Sequence, residues 1–196
     1  IIERRVGVVY AGRMTYRNIK NHYVLIGFNE LSINMIRELY DECPSARILL
    51  MSGMESATVR HRIQSALPVE VERQVLVYFG NIESIEELQR LNIESAIEVY
   101  VLGDEERYGR DAKNIAIVHL VSTLRGKCYD GKMMPVYVQF DSIPSYSNIQ
   151  KMNLPPEVFC IEGKPNIFFR PFNLHENLAR QLWSLYGADC ERRYDP

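Results

Sequence analysis

Residues 23–32 read YVLIGFNELS, in which a short apolar run stops at Gly27. Such a run, bounded by a turn residue, predicts a strand that is buried on both faces of a sheet. Apolar residues then recur at helical spacing from Met35 to Tyr40, and Pro44 ends the predicted helix. A buried strand, a glycine turn and an amphipathic helix are the first half of a βαβ unit.

The same alternation of strand and helix continues along the chain. Further apolar runs predict more strands at Ile48–Met51, Val75–Phe79, Ile97–Leu102, Pro135–Phe140 and Val158–Ile161. We therefore expect an α/β fold: a Rossmann-like, doubly wound, mainly parallel six-stranded sheet with helices on both faces. Such sheets bind ligands beside the first strand, at the carboxyl ends of the strands.

Local signals place the ends of two helices. Ser84 and Glu87 have the spacing of a capping box, and Asn92 stands where a helix often ends in a left-handed residue. Asn173 and Glu176 suit the start of a last helix. These signals predict where two helices begin and where one of them ends.

The predicted helix Asp111–Leu124 is apolar around most of its circumference. Such a helix must be covered by the sheet on one side and by something else on the other. The stripe expected to lie uncovered consists of Ile117, Val121 and Leu124. We expect it to join copies of the chain into a homo-oligomer. The competing expectation is that the last helix and three aromatic residues cover it, namely Phe168, Phe169 and Phe172.

The composition excludes several classes of protein. The 196 residues are 46% apolar and 24% charged, with a net charge of −2, so no basic surplus indicates a nucleic-acid partner. The longest apolar runs have about six residues, whereas a membrane span needs about 20. The sequence starts with Ile1 rather than Met, and we expect it to be a piece of a longer protein.

Neither cysteines nor histidines have the spacing of a metal site. The four cysteines lie far apart and no histidine pair has ligand spacing, so idle thiols and no bound metal are expected. The acidic run 104–106 follows the fourth predicted strand. It has two interpretations, a divalent-cation site at the mouth of the crevice or a solvated loop.

The turn after the first strand departs from the dinucleotide pattern Gly-x-Gly-x-x-Gly. Gly27 keeps the first glycine, but Asn29 and Ser32 replace the others, and Ser52 stands where an acidic residue would bind ribose. NAD or another nucleotide is therefore expected to bind weakly or not at all. Asn29 either caps its own helix or lines a crevice with a different ligand. The residues expected to line it are Gly27, Asn29, Ser52, Gly80, Asn81 and Gly103.

Catalytic motifs are missing from the sequence. A dehydrogenase of the short-chain type needs a Tyr-x-x-x-Lys pair beyond the fourth strand, but Tyr16 and Lys20, which have that spacing, precede the first. No Gly-x-Ser-x-Gly, His-Glu-x-x-His or P-loop is present. We therefore expect no enzyme. Three functions stay open: a regulatory domain, an assembly-only Rossmann module and an NAD(P)-dependent oxidoreductase.

Three segments share their order and spacing with a known family. Asn21–Gly27 is an Asn-His-apolar-Gly opening, Gly80–Ile93 follows the third strand, and Asp111–Asn114 starts a helix. They resemble the N-terminal, Rossmann-type lobe of RCK (regulator of potassium conductance) domains, also called TrkA-N, although Asn81 replaces an aspartate of that family. The resemblance implies a cytoplasmic regulatory domain that gates a potassium or other cation channel or transporter.

The basic segment before the first strand carries a narrower resemblance. Glu3-Arg4-Arg5 and Gly12-Arg13 precede Asn21 as in the cytosolic gating region of Castor/Pollux-type ion channels. This implies a basic linker (residues 1–20) after a membrane pore, a Rossmann-like lobe (21–162) and a C-terminal extension with a crossover-type helix (163–196). It also implies a homo-oligomer at the cytosolic face of a membrane, with the pore domain in the same or a partner chain.

Overall fold

The computed structural model describes residue 16 and residues 18–106, 108–126, 132–152, 160–161 and 164–178. Its strands are β1 (Tyr23–Ile26), β2 (Ile48–Ser52), β3 (Val75–Phe79), β4 (Glu98–Val101), β5 (Met134–Gln139), β6 (Cys160–Ile161), β7 (Lys164–Pro165) and β8 (Ile167–Phe172). Six of them form a parallel sheet in the order β3-β2-β1-β4-β5-β8, whereas β6 and β7 form a separate antiparallel pair. The predicted Rossmann-like α/β fold is confirmed.

The helices are α1 (Ser32–Glu42), α2 (Ser56–Ala66), α3 (Val69–Glu72), α4 (Ile85–Gln89), α5 (Arg110–Gly126) and α6 (Ile143–Lys151). Among the described residues, none is both long and apolar enough to cross a membrane. Residues 174–178 are also helical. Asn173 Oδ1 accepts from the backbone N–H of Glu176 at 2.9 Å, so this helix starts as predicted. The remainder of the predicted helix lies outside the described residues.

Both faces of the sheet are covered, which explains why β1 is apolar at every position. Val24 and Ile26 lie in a core cluster with residues of α4 and α5, whereas Tyr23 and Leu25 lie in a second cluster with residues of α1 and α2. All four are at most 4% exposed. Since alternate residues of a strand point to opposite faces, burial on both faces requires this continuous apolar run.

The sixth strand of the sheet is β8. The sequence predicted this strand at Val158–Ile161, which is wrong. Only the last two residues of that segment are described, and as β6 they pair with β7. The sequence does not predict β8, because Arg170 interrupts the apolar run and Pro171 has no N–H to donate to a neighbouring strand. The sheet tolerates both because β8 is an edge strand, and within the described residues β5 is its only partner. The sheet thus continues past residue 162, at which the sequence predicted the end of the Rossmann-like lobe.

The apolar stripe of α5 faces the interior of the chain. Ile117 and Val121 are fully buried and Leu124 is 2% exposed, all in one core cluster with residues of β4 and β5. The predicted self-association through this stripe is therefore wrong. Of the three aromatic residues expected to cover it, Phe169 belongs to the same cluster, whereas Phe172 packs against the opposite core.

The signals around α4 are confirmed, with one difference. The Ser84 hydroxyl accepts from the Glu87 backbone N–H at 3.4 Å, and Asn92 is left-handed with φ 52° and ψ 46°. The Glu87 carboxylate does not complete the capping box. It accepts a hydrogen bond from the Tyr78 hydroxyl instead, because the side chain of Tyr78 extends from β3 to α4.

The loops that follow β1 and β4 touch at two glycines. Gly27 has φ +97° and Gly103 has φ +73°, a region that other residues seldom adopt. A Cβ on Gly27 would overlap the carbonyl group of Gly103. Gly27 is therefore required for its dihedral angles and also for the space that it leaves.

Substitution of Gly27 separates these two requirements when it is compared with Gly109. Gly109 also has a positive φ, +67°, but a Cβ there meets no atom of the described part of the chain within 4 Å. We expect Gly109→Ala to lower the free energy of unfolding by about 1 kcal/mol. Gly27→Ala adds a backbone overlap, and we expect a loss of at least about 3 kcal/mol. Urea unfolding of both variants measures this, and equal losses would contradict the close approach.

His22, directly before β1, is fully buried. Its Nε2 lies 3.0 Å from the carbonyl oxygen of Leu91, and donates to it. Burial lowers the pKa of His22 below its ordinary value of 6.5, while the hydrogen bond to Leu91 opposes part of that effect. The folded chain therefore favours the neutral imidazole.

The free energy of unfolding is expected to fall as the pH drops below about 6.5, because the unfolded chain then binds a proton that His22 resists in the fold. Above that pH the stabilisation is fully present. In His22→Gln, which cannot bind this proton, the loss between pH 7 and pH 5 should be smaller than in the parent chain. Urea midpoints at both pH values test this, and an unchanged loss would exclude His22 as its source.

Candidate functional site

Asn29, which replaces the second glycine of the dinucleotide turn, is built into the fold. Its side chain is 2% exposed. Its Nδ2 donates to the carbonyl oxygens of Leu102 (3.0 Å) and Gly103 (3.2 Å) and to Oε1 of Gln139 (3.0 Å). Its Oδ1 accepts from the backbone N–H of Leu31 at 2.9 Å. The amide thus ties the β1 turn to the ends of β4 and β5.

The same polar chain continues to a buried arginine. Nε2 of Gln139 donates to Oδ1 of Asp141 at 2.9 Å, and Oδ2 of Asp141 lies 2.8 Å from the guanidinium of Arg110. Arg110, the first residue of α5, is 1% exposed. A Cβ on Gly103 would lie only 2.7 Å from the Cγ of Arg110. Side chains therefore fill the crevice between β1 and β4.

The carboxylate of Asp104 fills the other side of the crevice mouth. Its Oδ1 accepts from the backbone N–H of Phe28 at 3.0 Å and from the Ser52 hydroxyl at 2.6 Å. Its Oδ2 accepts from the backbone N–H of Gly53 at 3.0 Å. One side chain from the loop after β4 thus joins the turns that follow β1 and β2.

The other two residues of the acidic run point to different partners. Glu105 pairs with Arg62 of α2, and Glu106 lies 3.3 Å from the ammonium of Lys113. Across the part of the chain that the structure describes, no three His, Cys, Asp or Glu side chains come together as a metal site. The run is therefore divided among three separate interactions.

An open cleft of about 740 Å³ lies beside the closed crevice, at the carboxyl ends of β2 and β3. Glycine backbone forms part of its wall, and its polar side chains come from the loop after β3 and from α4. The lining residues are Gly53, Phe79, Gly80, Asn81, Ser84, Glu87 and Arg90. This cleft offers donors, acceptors, one aromatic ring and an ion pair to a ligand.

Tyr78 anchors the ionic side of the cleft. Its hydroxyl bonds the carboxylate of Glu87 and lies 3.3 Å from the guanidinium of Arg90. Burial, followed by the hydrogen bond to Glu87, raises the pKa of Tyr78 to about 12. Glu87 and Arg90 keep side-chain exposures of 28% and 41%, so both remain accessible to a ligand.

The six residues expected to line a crevice fall into two groups. Two lie at the open cleft: Gly80 and Asn81. Four are buried around the closed crevice: Gly27, Asn29, Ser52 and Gly103. Sequence reasoning missed the role of Asp104. The available signal was its position, since an acidic residue directly after the strand-end glycine of β4 lies at the mouth of such a sheet.

Comparison with known proteins gives a likeness of structure alone. No family model matches the sequence, and no curated protein matches it. Similar solved structures include the GsuK channel bound to NAD (13% identity, TM-score 0.51, 76% of this chain) and the GsuK RCK domain (14%, 0.53, 85%). A third is the TrkA-N domain of the inner membrane protein YbaL from Escherichia coli (15%, 0.53, 86%).

This chain has the fold of RCK and TrkA-N domains. It spans 23% and 29% of the two GsuK chains, and 98% of the YbaL domain. At these identities the likeness concerns the fold, which agrees with the resemblance seen in the sequence. Asn29 and Asp104 lie at the carboxyl end of this sheet, in the loops that follow β1 and β4.

Removal of the Asn29 amide tests whether this side chain holds the crevice closed. Asn29→Ala removes this partner from three oxygens, two of the backbone and one of Gln139, and from one backbone N–H. We expect a loss of about 3 kcal/mol in the free energy of unfolding. The matched control is Asn34→Ala on the exposed face of α1, where the change should be within about 0.5 kcal/mol. Chemical unfolding compares them, and a neutral Asn29→Ala would refute the structural role.

Proposed function

We propose that this chain is a cytosolic regulatory domain that gates a potassium or other cation channel or transporter in response to a small ligand. The observation that carries the proposal is an open, partly charged cleft at the carboxyl end of an RCK-type sheet. In open α/β sheets this end is where ligands bind. The pore domain would lie in the same or a partner chain, at the membrane face, and the domain would act as a homo-oligomer.

A non-enzymatic role agrees with the groups at the cleft. Glu87 bonds Tyr78, and Arg90 lies 3.8 Å from the Glu87 carboxylate, so its titratable side chains are engaged with each other. A raised pKa at Tyr78 keeps the phenol neutral, which does not suit a general base. The oxidoreductase alternative has no comparable observation in its favour.

The assembly-only module is the second candidate, because one observation favours it. Asn29 and Asp104 use the backbone groups that a nucleotide would otherwise contact, so the crevice is already filled by the chain itself. A protein that binds no ligand would need only this filled crevice, without an open cleft beside it. The open cleft beyond Gly53 favours the regulatory proposal, since a filled crevice alone gives no reason for an adjacent cavity with exposed ionic groups.

A thermal-shift panel of nucleosides, nucleotides and mono- and divalent cations discriminates between these two candidates. A ligand present at 100 times its Kd stabilises the fold by about 2.7 kcal/mol. We expect one class of compound to raise the Tm of the parent chain, and Arg90→Gln to abolish that rise. Arg73→Gln, at the opposite end of β3 and exposed, is the matched control and should retain it.

The same ligand should alter ion flux when the whole protein is reconstituted with its pore. No Tm shift with any compound would favour the assembly-only module. A shift that survives Arg90→Gln would place the ligand outside this cleft.

A further inference from the structure

The Asp104 carboxylate lies where the fold usually receives an anion from outside. In dinucleotide-binding sheets, backbone N–H groups at the turn between the first strand and the first helix hold phosphate. Here the N–H of Phe28 donates to Oδ1 of Asp104 at 3.0 Å. On the β2 side, the Ser52 hydroxyl and the N–H of Gly53 donate to the same carboxylate.

These contacts satisfy both carboxylate oxygens with donors from two different turns. They are possible because the loops after β1 and β4 touch at Gly27 and Gly103, which brings the residue after Gly103 to the β1 turn. Asp104 is only partly buried, whereas Ser52 is fully buried. The carboxylate therefore lies at the crevice mouth, where it remains partly accessible to solvent.

We propose that Asp104 determines which ligands the open cleft accepts at its border with the closed crevice, by occupying the place of a ligand phosphate with its own negative charge. A phosphate at this point would lose its donors to Asp104 and would be repelled by the carboxylate. The ligand of the open cleft is therefore one that carries no phosphate next to Gly53. Gly53 lines the cleft and also bonds Asp104, so the carboxylate marks the boundary between the two.

This inference rests on the proposed function for the existence of a ligand, but its test does not. Adenosine and ADP are suitable probes, since they differ only in the diphosphate. Isothermal titration compares both with the parent chain, with Asp104→Asn, which removes the charge, and with Asp104→Ala, which also frees the three donors. The matched control is Glu105→Gln, which removes a neighbouring charge that pairs with Arg62 outside the mouth.

We expect the parent chain and Glu105→Gln to bind ADP no better than adenosine. Asp104→Asn should bind ADP several-fold more tightly than the parent chain, and Asp104→Ala at least tenfold more tightly. If Asp104→Ala is poorly folded, inorganic phosphate should raise its Tm more than chloride of the same ionic strength does, with no such difference in the parent chain.

The proposal is overturned if the parent chain binds ADP as tightly as the folded Asp104 variants do, or if Glu105→Gln gives the same gain. It is also overturned if Asp104→Asn is folded and gains nothing. These outcomes are distinct from a failure of the proposed function. In that case no compound would bind the parent chain, while the Asp104 variants would still gain affinity for ADP.

Discussion

The contact between the backbones of Gly27 and Gly103 is the constraint on which the carboxyl end of this sheet depends. Parallel pairing of β1 with β4 brings their ends level, with Ile26 opposite Val101. The two loops then meet with no room for a side chain at Gly27. This fixes the residues that follow within hydrogen-bond distance of the opposite loop. Asn29 can therefore reach two carbonyl groups beyond β4, and Asp104 can reach the N–H of Phe28.

A turn that exposes backbone donors must find acceptors for them. In a dinucleotide-binding protein the ligand supplies these acceptors, and the empty site leaves the donors to water. Here the chain supplies a carboxylate and an amide. Because an unsatisfied buried polar group costs about 1–3 kcal/mol, the same side chains that close the crevice also stabilise it. Under our proposal, stability and ligand choice are consequently coupled at Asp104.

The sequence predicts those elements whose burial follows from their own residues. β1, β2 and β3 are apolar at nearly every position because both faces are covered, and the local caps at Ser84 and Asn92 depend only on neighbours in the chain. β8 escapes prediction because its place at the edge, which permits Pro171, is a property of the sheet. Likewise, because α5 is apolar around most of its circumference, its sequence does not predict which side the rest of the chain buries.

The candidate site divides in the same way. The departures from the glycine pattern at Asn29 and Ser52 are visible in the sequence, but what replaces the ligand is not. Asp104 is separated from Ser52 by 52 residues and from Phe28 by 76, so no local spacing connects them. In the structure Asn29 bonds the carbonyl groups of residues 102 and 103, and Ser52 bonds residue 104. Asn29 and Ser52, the two departures from the dinucleotide pattern, thus both bond the short segment 102–104 at the end of β4. The amide and the hydroxyl bond a segment that carries its own anion, and this gives a physical reason for both departures occurring together.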